Sequence, residues 1–265
     1  MLLTDAGRRG APTRRTAVRW QLLLEPRGRS GPENMAVDVA LLERADRMGE
    51  AFLRLYRFDP PCLSVGRNEA SGGYDRAAIA RLGIDVVRRP TGGGAVWHQH
   101  ELTYAVAAPI AAFGGLRRAY HTIHARLAAG LGALGVSPTL APNRPLPPAT
   151  AALSGCFACS VGGEVLVGGR KLVGSAQVRR GRAFLQHGSI LLDGSQDAMP
   201  GVSREPRAGS AATTLSEELR RRVTWDEVVE AVVQEWSDDV IPAAPCRPLP
   251  PSAAVFSDPA WTWRR

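Results

Sequence analysis

The 265-residue chain lacks several features that would place it in a specialised class of protein. It has no run of about 18 apolar residues, so no membrane-spanning helix is predicted. Cys156 and Cys159 form a lone CxxC, without the second pair or close histidine that a zinc site needs. Zinc-finger spacing, basic-region heptads and aromatic RNA-binding motifs are also missing. We therefore expect a cytoplasmic protein with reduced thiols, no metal, no membrane association and no nucleic-acid partner.

Positive charge, by contrast, is in excess. The chain has 33 lysine and arginine residues against 25 aspartate and glutamate residues, a formal net charge of +8 at pH 7. A basic surface attracts polyanions, and acidic proteins are compatible partners. The hydrophobic fraction of 45% is that of an ordinary globular protein, and the length fits one large domain.

Hydrophobic periodicity predicts strands interspersed with helices rather than a regular βαβ series. A helix is expected from Ser30 onwards, in "SGPENMAVDVALLERADRM", and a later helix begins with a capping box formed by Thr224 and Glu227. Three strand-like pieces within residues 164–192 are joined by glycine turns and predict an antiparallel meander. This order of elements predicts an α+β fold.

The composition changes at both ends of the chain. Residues 1–17 are rich in arginine and poor in acids, which predicts a disordered basic tail. Residues 242–265 are rich in proline, and we expect a loosely ordered tail there. Residues 18–241 are therefore the predicted folded domain.

Three consecutive glycines, Gly92 to Gly94, stand out in "RRPTGGGAVWH". They match neither a dinucleotide-binding fingerprint nor a phosphate-binding loop, because a strand follows them instead of a helix. They either let the backbone approach a ligand closely or form a plain turn between strands. Arg88 and Arg89 beside them can bind a carboxylate, phosphate or carbonyl, or can lie on a solvated strand face.

A second dense motif is "GRKLVGSAQVRRGRAFLQHGSILL". Lys171 is surrounded there by glycine and small residues, which suits a lysine held against a ligand carbonyl or phosphate. The alternative is a lysine that points into solvent from a strand. The residue pattern alone leaves both interpretations open.

The chain resembles the biotin/lipoate ligase and octanoyltransferase superfamily in three segments. These are "NMAVDVALLE", "RRPTGGGAVWH" and "GRKLVGSAQVRRGRAFLQHGSILL", which occur in the family's order and together cover roughly residues 20–195. The resemblance implies a single acyltransferase catalytic domain over residues 18–241. Its implied fold is an α+β fold of the biotin/lipoate ligase type, with a mixed or antiparallel sheet flanked by helices.

The same resemblance implies an acyl pocket and its residues. The glycine triplet would line the pocket and leave room for an octanoyl or lipoyl chain, while Lys171 would contact the acyl carbonyl. The residues implied in substrate binding are Arg89, Gly92, Gly93, Gly94, Ala95, His98, Gly174, Ser175, His187 and Gly188.

Cys156 is the implied nucleophile. The "GCF" segment ahead of Lys171 resembles that of octanoyltransferases of the LipM type, and the spacing of 171 − 156 = 15 residues matches that type. Judged without the resemblance, Cys156 is expected to be a small buried core residue. The following "FACSVGG" departs from the family's pattern, and Cys159 is expected to be a bystander.

The resemblance also implies the reaction and its partners. Octanoyl would pass from octanoyl-acyl carrier protein to Cys156 and then to a lysine of a lipoyl domain, in the glycine cleavage H protein or a 2-oxoacid dehydrogenase subunit. A thiolate is suited to thioester exchange, so no cofactor or ATP is needed. His98 and His187 lie in the matched segments, but the sequence does not place either of them beside Cys156. The alternatives are an ATP-dependent lipoate-protein ligase, an octanoyl amidotransferase between lipoyl domains, and an inactive binding protein.

Overall fold

The computed structural model describes residues 19–142, 157, 162–196, 200–204, 211–236, 240–244 and 252–264. The strands are β1 Trp20–Arg29, β2 Ala51–Phe58, β3 Cys62–Val65, β4 Asp85–Arg88, β5 Val96–His98, β6 Glu101–Pro109, β7 Pro138–Leu140, β8 Val165–Val167, β9 Arg170–Arg180, β10 Ala183–Leu191 and β11 Val240–Pro242. The helices are α1 Gly31–Met48, α2 Arg76–Arg81, α3 Leu116–Ala133, α4 Leu215–Leu219, α5 Trp225–Gln234, α6 Ala253–Ser257 and α7 Pro259–Thr262. None of the helices in these ranges is both long and apolar enough to cross a bilayer.

A large mixed sheet has the strand order β11-β1-β2-β6-β10-β9-β8-β7. Strand β1 runs parallel to β2 and β11, and the remaining neighbours are antiparallel. Helix α1 is the crossover that a parallel β1–β2 pair requires. The meander predicted within residues 164–192 is confirmed as β8-β9-β10.

The two faces of the large sheet bury different side chains, because residues alternate along each strand. In β2, Leu53 and Leu55 pack into the cluster that contains α3 and α5. Phe52 and Tyr56 pack on the opposite face, with the apolar side of α1. Arg54 lies between them in sequence and is fully buried, so the α1 face carries a charge inside its apolar layer.

A smaller sheet, with the order β4-β3-β5, lies beside the α1 face. Gly31 at the start of α1 lies against Cys62 of β3 and Val87 of β4. On β5, His98 Nδ1 lies 3.3 Å from Ser189 Oγ of β10. The two sheets therefore approach each other at the N-terminal end of α1.

Helices α1 and α5 begin at the signals that the sequence predicts. The Ser30 backbone N–H donates to Glu33 Oε2 at 3.0 Å, which starts α1, and Gly49 ends it with a left-handed φ of 72°. At α5, Thr224 and Glu227 form the reciprocal capping box. Both predictions are confirmed.

The C-terminal part differs from the loosely ordered tail that its proline content suggests. Within residues 252–264, α6 and α7 fold back onto the body of the molecule. Phe256 is buried in the α1 cluster, and Trp261 Nε1 donates to the Arg88 carbonyl at 2.9 Å. Burial of Phe256 and partial burial of Trp261 hold this segment. Pro259 suits the first turn of α7 because its fixed φ is helical.

Candidate active site

A narrow cavity lies where the two sheets meet, at the N-terminal end of α1. Its volume is about 350 Å3, part of which is open to solvent. The described residues that line it are Met35, Tyr56, Phe58, Ser64, Arg89, Val96, His98, Thr103, Gly174, Ser175, Ala176, His187, Gly188 and Ser189. Apolar walls thus meet a set of hydroxyl, imidazole and guanidinium groups.

The structure brings six of the ten predicted substrate-binding residues to this cavity. They are Arg89, His98, Gly174, Ser175, His187 and Gly188. The strand register explains part of this set, because Gly188 of β10 pairs with Ser175 of β9, and His187 with Ala176. The four others, Gly92 to Ala95, are not among the described lining residues.

The glycine triplet instead binds the side chain of Arg89. Arg89 Nη2 donates to the carbonyls of Gly92 at 2.7 Å and Gly94 at 2.8 Å. Gly93 has a φ of 88°, and a Cβ on Gly66 would lie only 1.8 Å from its carbonyl oxygen. Glycine is therefore needed so that two backbone segments can meet around a buried guanidinium.

Neither arginine of this motif lies on a solvated strand face, so that alternative is wrong. Arg88 is 1% exposed and Arg89 is 4% exposed. Arg88 Nη1 donates to the carbonyls of Gly66 at 2.6 Å and Glu69 at 2.7 Å. Among the described residues, both guanidinium groups hold backbone carbonyls of their own chain.

His187 belongs to a buried series that runs from α1 to the loop after β4. Its Nδ1 donates to Asp38 Oδ2 at 2.8 Å, and its Nε2 lies 2.7 Å from Thr91 Oγ1. Burial lowers the pKa of His187, and the hydrogen bond to Asp38 offsets only part of that effect. The imidazole is therefore neutral near pH 7, with its Nε2 accepting from the Thr91 hydroxyl.

Asp38 is held ionised by the charge beneath it. Burial alone would raise its pKa, but the hydrogen bond from His187 and the positive charge of Arg54 outweigh burial and lower the pKa. Arg54 Nη1 donates to Asp38 Oδ1 at 2.7 Å, and Arg54 Nε donates to Glu25 Oε2 at 2.7 Å. Arg54 thus ties α1 to β1 and β2 beneath the cavity.

His98 belongs to a second series of the same type. Its Nδ1 lies 2.6 Å from Glu101 Oε1, and its Nε2 lies 2.7 Å from Ser64 Oγ. Phe58 stacks on the imidazole with 4.1 Å between ring centroids. Ser64, His98 and Phe58 all line the cavity, so this series opens directly onto it.

Lys171 is buried in an ion pair close to the cavity wall. Its Nζ lies 2.7 Å from Glu164 Oε1, and the two side chains are 2% and 1% exposed. The alternative that Lys171 points into solvent from a strand is therefore wrong. The Nζ lies 5.3 Å from the centre of the Phe157 ring, and that ring blocks any Cβ on Gly174, the nearest ring atom being 2.7 Å away. Lys171, Phe157 and Gly174 therefore form one continuous wall.

The predicted nucleophile cannot be placed in the same way. Cys156 and Cys159 lie outside the described residues. Phe157, which follows Cys156 in the sequence, is described and 2% exposed.

A polar cluster lies below Ser175, on the α3 side of the sheet. Ser175 Oγ lies 2.8 Å from His124 Nε2 and 2.7 Å from the Tyr104 hydroxyl. Burial lowers the pKa of His124 to about 3, so this imidazole is neutral and holds the orientation of Ser175 in the cavity wall.

Four site residues escape prediction from the sequence: Asp38, Ser64, Glu101 and Glu164. Signals for two of them exist. Asp38 is a charged residue in an otherwise apolar stretch of α1, and Glu101 follows His98 by three residues. The other two become recognisable only through their partners in the folded chain, His98 for Ser64 and Lys171 for Glu164.

Comparison with known sequences agrees with this architecture. Residues 30–237 match the model of the lipoyl protein ligase A/B catalytic domain. The chain is 38% identical to octanoyltransferase LipM of Symbiobacterium thermophilum, over 80% of this chain and 83% of that protein. It is 37% identical to octanoyltransferase LipM of Moorella thermoacetica, over 83% of this chain and 86% of that protein. These matches confirm the resemblance carried by the three sequence segments.

Solved structures share the fold. Lipoate-protein ligase A bound with ATP superposes with a TM-score of 0.75 at 21% identity, over 93% of this chain and 99% of that chain. LipL1 of P. falciparum in complex with lipoate superposes with a TM-score of 0.71 at 15% identity, over 93% and 74%. The predicted α+β fold, a mixed sheet flanked by helices, is thereby confirmed.

Proposed function

The chain belongs to the lipoyl protein ligase A/B catalytic domain family and is an acyltransferase, and from this premise we propose that it makes protein-bound octanoyl groups for lipoate biosynthesis. The octanoyl group comes from octanoyl-acyl carrier protein and passes to a lysine of a lipoyl domain. Cys156 carries it between the two as a thioester. The glycine cleavage H protein is the proposed acceptor, with 2-oxoacid dehydrogenase subunits as the other lipoyl-domain candidates.

The observation that carries this proposal is the wall formed by Lys171, Phe157 and Gly174. Gly174 lines the cavity, and the Lys171 ammonium lies beside the ring of Phe157. The residue before Phe157 is Cys156. We propose that Cys156 supplies the thiol nucleophile and that Lys171 supplies the cation for the developing oxyanion.

In the first step, the Cys156 thiolate attacks the thioester carbonyl of the donor. A carbon–sulfur bond forms to Cys156, and the bond to the carrier's sulfur breaks. The carrier leaves as a thiolate and takes up the proton that Cys156 released. Lys171 stabilises the tetrahedral oxyanion, and Glu164 keeps the ammonium group in place at 2.7 Å.

In the second step, a lysine amine of the lipoyl domain attacks the octanoyl-enzyme. A carbon–nitrogen bond forms, and the bond to Cys156 breaks. Exchange between thioesters is close to thermoneutral, and an amide is more stable than a thioester. Neither step therefore needs ATP.

The cavity accounts for binding of the acyl chain. Met35, Phe58 and Val96 supply apolar walls, and glycines at 174 and 188 leave space beside the strands. Each methylene group buried against such walls contributes about 0.8 kcal/mol. An octanoyl chain therefore gains its binding free energy mainly from its hydrocarbon tail.

The domain boundaries remain part of this proposal. We assign the catalytic domain to residues 18–241, preceded by a basic tail at 1–17 and followed by a proline-rich segment at 242–265. The described helices α6 and α7 pack on the catalytic domain from within that last segment.

The test is intact-mass spectrometry of the protein mixed with octanoyl-acyl carrier protein in the absence of ATP. We expect a mass gain of one octanoyl group, which hydroxylamine removes and Cys156→Ala abolishes. Cys159→Ala is the matched control and should keep the adduct. Subsequent addition of a lipoyl domain should move the octanoyl group to its lysine.

The opposite outcome is equally clear. No adduct without ATP, together with lipoylation of the acceptor once ATP and free acid are added, would identify a lipoate-protein ligase. Movement of octanoyl only from one lipoyl domain to another would identify an amidotransferase.

A further inference from the structure

The series Ser64, His98 and Glu101 is not used by either step of the proposed mechanism. Ser64 Oγ lies 2.7 Å from His98 Nε2, and His98 Nδ1 lies 2.6 Å from Glu101 Oε1. A carboxylate only accepts hydrogen bonds, so Nδ1 carries the hydrogen and Nε2 accepts from the serine hydroxyl. This hydroxyl–imidazole–carboxylate order is the one by which enzymes move a proton onto a histidine.

We infer that this series is a proton relay for the acceptor lysine, an inference that rests on the proposed function. The lysine ammonium gives one proton to Ser64 Oγ as Ser64 passes its own proton to His98 Nε2. The free amine then attacks the octanoyl-enzyme, and the carbon–nitrogen bond forms as the bond to Cys156 breaks. The second proton of the nitrogen goes to the Cys156 sulfur, and the proton on His98 passes to water.

Such a relay is needed because of the chemistry of the acceptor. A lysine side chain has a pKa of about 10.4, so it is almost entirely protonated at neutral pH and cannot attack. Lys171 supplies a positive charge and is paired with Glu164, so it is not the proton acceptor. Ser64 and His98 both line the cavity in which the octanoyl chain is placed.

The carboxylate beside His98 is buried and only partly hydrogen-bonded. Glu101 is 5% exposed, and its Oε2 receives no hydrogen bond from any part of the chain that the structure describes. A buried carboxylate with one oxygen left without a hydrogen bond is stabilised by a positive charge beside it. Thr103 Oγ1 donates to Glu101 Oε1 at 2.5 Å and fixes that oxygen. The stacked ring of Phe58 also attracts a cationic imidazole.

Other titratable groups near His98 do not compete for this proton. Burial raises the pKa of Cys62 and also that of Tyr56, so both stay neutral. Arg89 Nη1 lies 3.3 Å from Ser64 Oγ and donates to it. That contact polarises the hydroxyl and makes it a better proton donor toward His98.

The parallel series at His187 does not reach the substrate in this way. Its hydroxyl member, Thr91, is fully buried and is not among the described lining residues. Its carboxylate, Asp38, is already ion-paired with Arg54. Burial also lowers the pKa of His187. Of the two series, only the one that ends at Ser64 has its hydroxyl residue among the described residues that line the cavity.

The experiment separates the two half-reactions in His98→Gln. The octanoyl-enzyme is formed with octanoyl-acyl carrier protein, isolated, and discharged either to a lipoyl domain or to hydroxylamine, an amine that is uncharged at neutral pH. Because His98 lines the cavity, acylation and discharge to hydroxylamine are the reference rates, and we expect both to fall by the same small factor. Discharge to the lipoyl-domain lysine should be about 100-fold slower at about pH 7. The defect should shrink at about pH 9, as more of the lysine loses its proton unaided.

Two further variants complete the design. Ser64→Ala should reproduce the selective loss even if His98→Gln does not fold. His100→Gln removes an exposed imidazole two residues away and should leave every rate unchanged.

Three outcomes would overturn the relay. Equal loss with lysine and hydroxylamine, or a defect that does not change with pH, would mean that His98 is only structural. An octanoyl adduct that forms on Cys156→Ala and disappears on adding Ser64→Ala would make Ser64 a nucleophile. A wild-type chain that forms no octanoyl-enzyme overturns the proposed function and the relay with it. The first outcome leaves the proposed function intact, whereas the second overturns both the relay and the proposed role of Cys156.

Discussion

At the scale of single residues, the Lys171–Glu164 pair links stability to catalysis. Both side chains are almost fully buried, with 2.7 Å between Nζ and Oε1. Removing one member of such a pair leaves a buried charge without its counter-charge and costs about 3 kcal/mol or more. We expect Lys171→Met to lose about 3 kcal/mol of unfolding free energy in urea titrations.

The control for that prediction is Lys171→Met combined with Glu164→Gln. It removes both charges and should recover most of the lost stability while remaining inactive in octanoyl transfer. If the single variant is as stable as wild type, or the double variant is no more stable than the single, the pair does not hold the site as we describe. Only the double variant separates loss of a catalytic group from loss of a folded site.

The sequence predicts the site residues that belong to its motifs better than their partners. Lys171, His98 and His187 lie in the segments that carry the resemblance to the family, and their roles stay predictions. Glu164 is not recognised from the sequence, because its pairing with Lys171 depends on the β8–β9 register, which contains an irregularity at Val165. A carboxylate partner depends on distances in the fold, and local sequence pattern does not encode them.

At the scale of elements, helices α3 and α5 meet at a glycine. A Cβ added to Gly130 of α3 would lie 2.5 Å from the backbone carbonyl oxygen of Ala231 in α5. We expect Gly130→Ala to push the helices apart and to destabilise the protein by about 1–3 kcal/mol. In the same helix, a Cβ on Gly132 meets only the Pro138 side chain at 3.7 Å, so Gly132→Ala should be stabilising by up to about 1 kcal/mol. Thermal unfolding of the two variants side by side checks this contrast, and equal shifts would contradict it.

Long periodic elements are predicted well and short ones are not. The predicted α1 and α5, and the strands of the meander, are all present. Strand β7 lies in the proline-rich stretch "SPTLAPNRPLPPAT". Strand β11 and helices α6 and α7 lie around or within the proline-rich tail. Three to five residues are too few to show a period. These elements form because a neighbouring strand edge or an apolar face needs a partner.

At the scale of the whole molecule, the net charge of +8 should govern the encounter with an acidic carrier protein. One exposed basic run is Arg220, Arg221 and Arg222, between α4 and α5. We expect kcat/KM with octanoyl-acyl carrier protein to fall about tenfold as salt is raised well above physiological strength, because screening shortens the range of the attraction. Octanoyl-N-acetylcysteamine is an uncharged donor and serves as the control. If both donors respond alike, charge does not steer the encounter.

The contact between Arg88 and the C-terminal segment has a consequence for how the protein is made. Arg88 Nε donates to the Thr262 carbonyl at 2.9 Å, and its Nη2 donates to the Arg264 carbonyl at 3.2 Å. A ribosome makes Arg88 long before it makes those two residues, and chains begin to fold from the N-terminus during synthesis. A growing chain can pair β4 with β3 early. The Arg88 guanidinium, however, acquires its last two acceptors only when translation has passed residue 264. The order of synthesis therefore delays completion of the Arg88 contacts until residue 264 has been made.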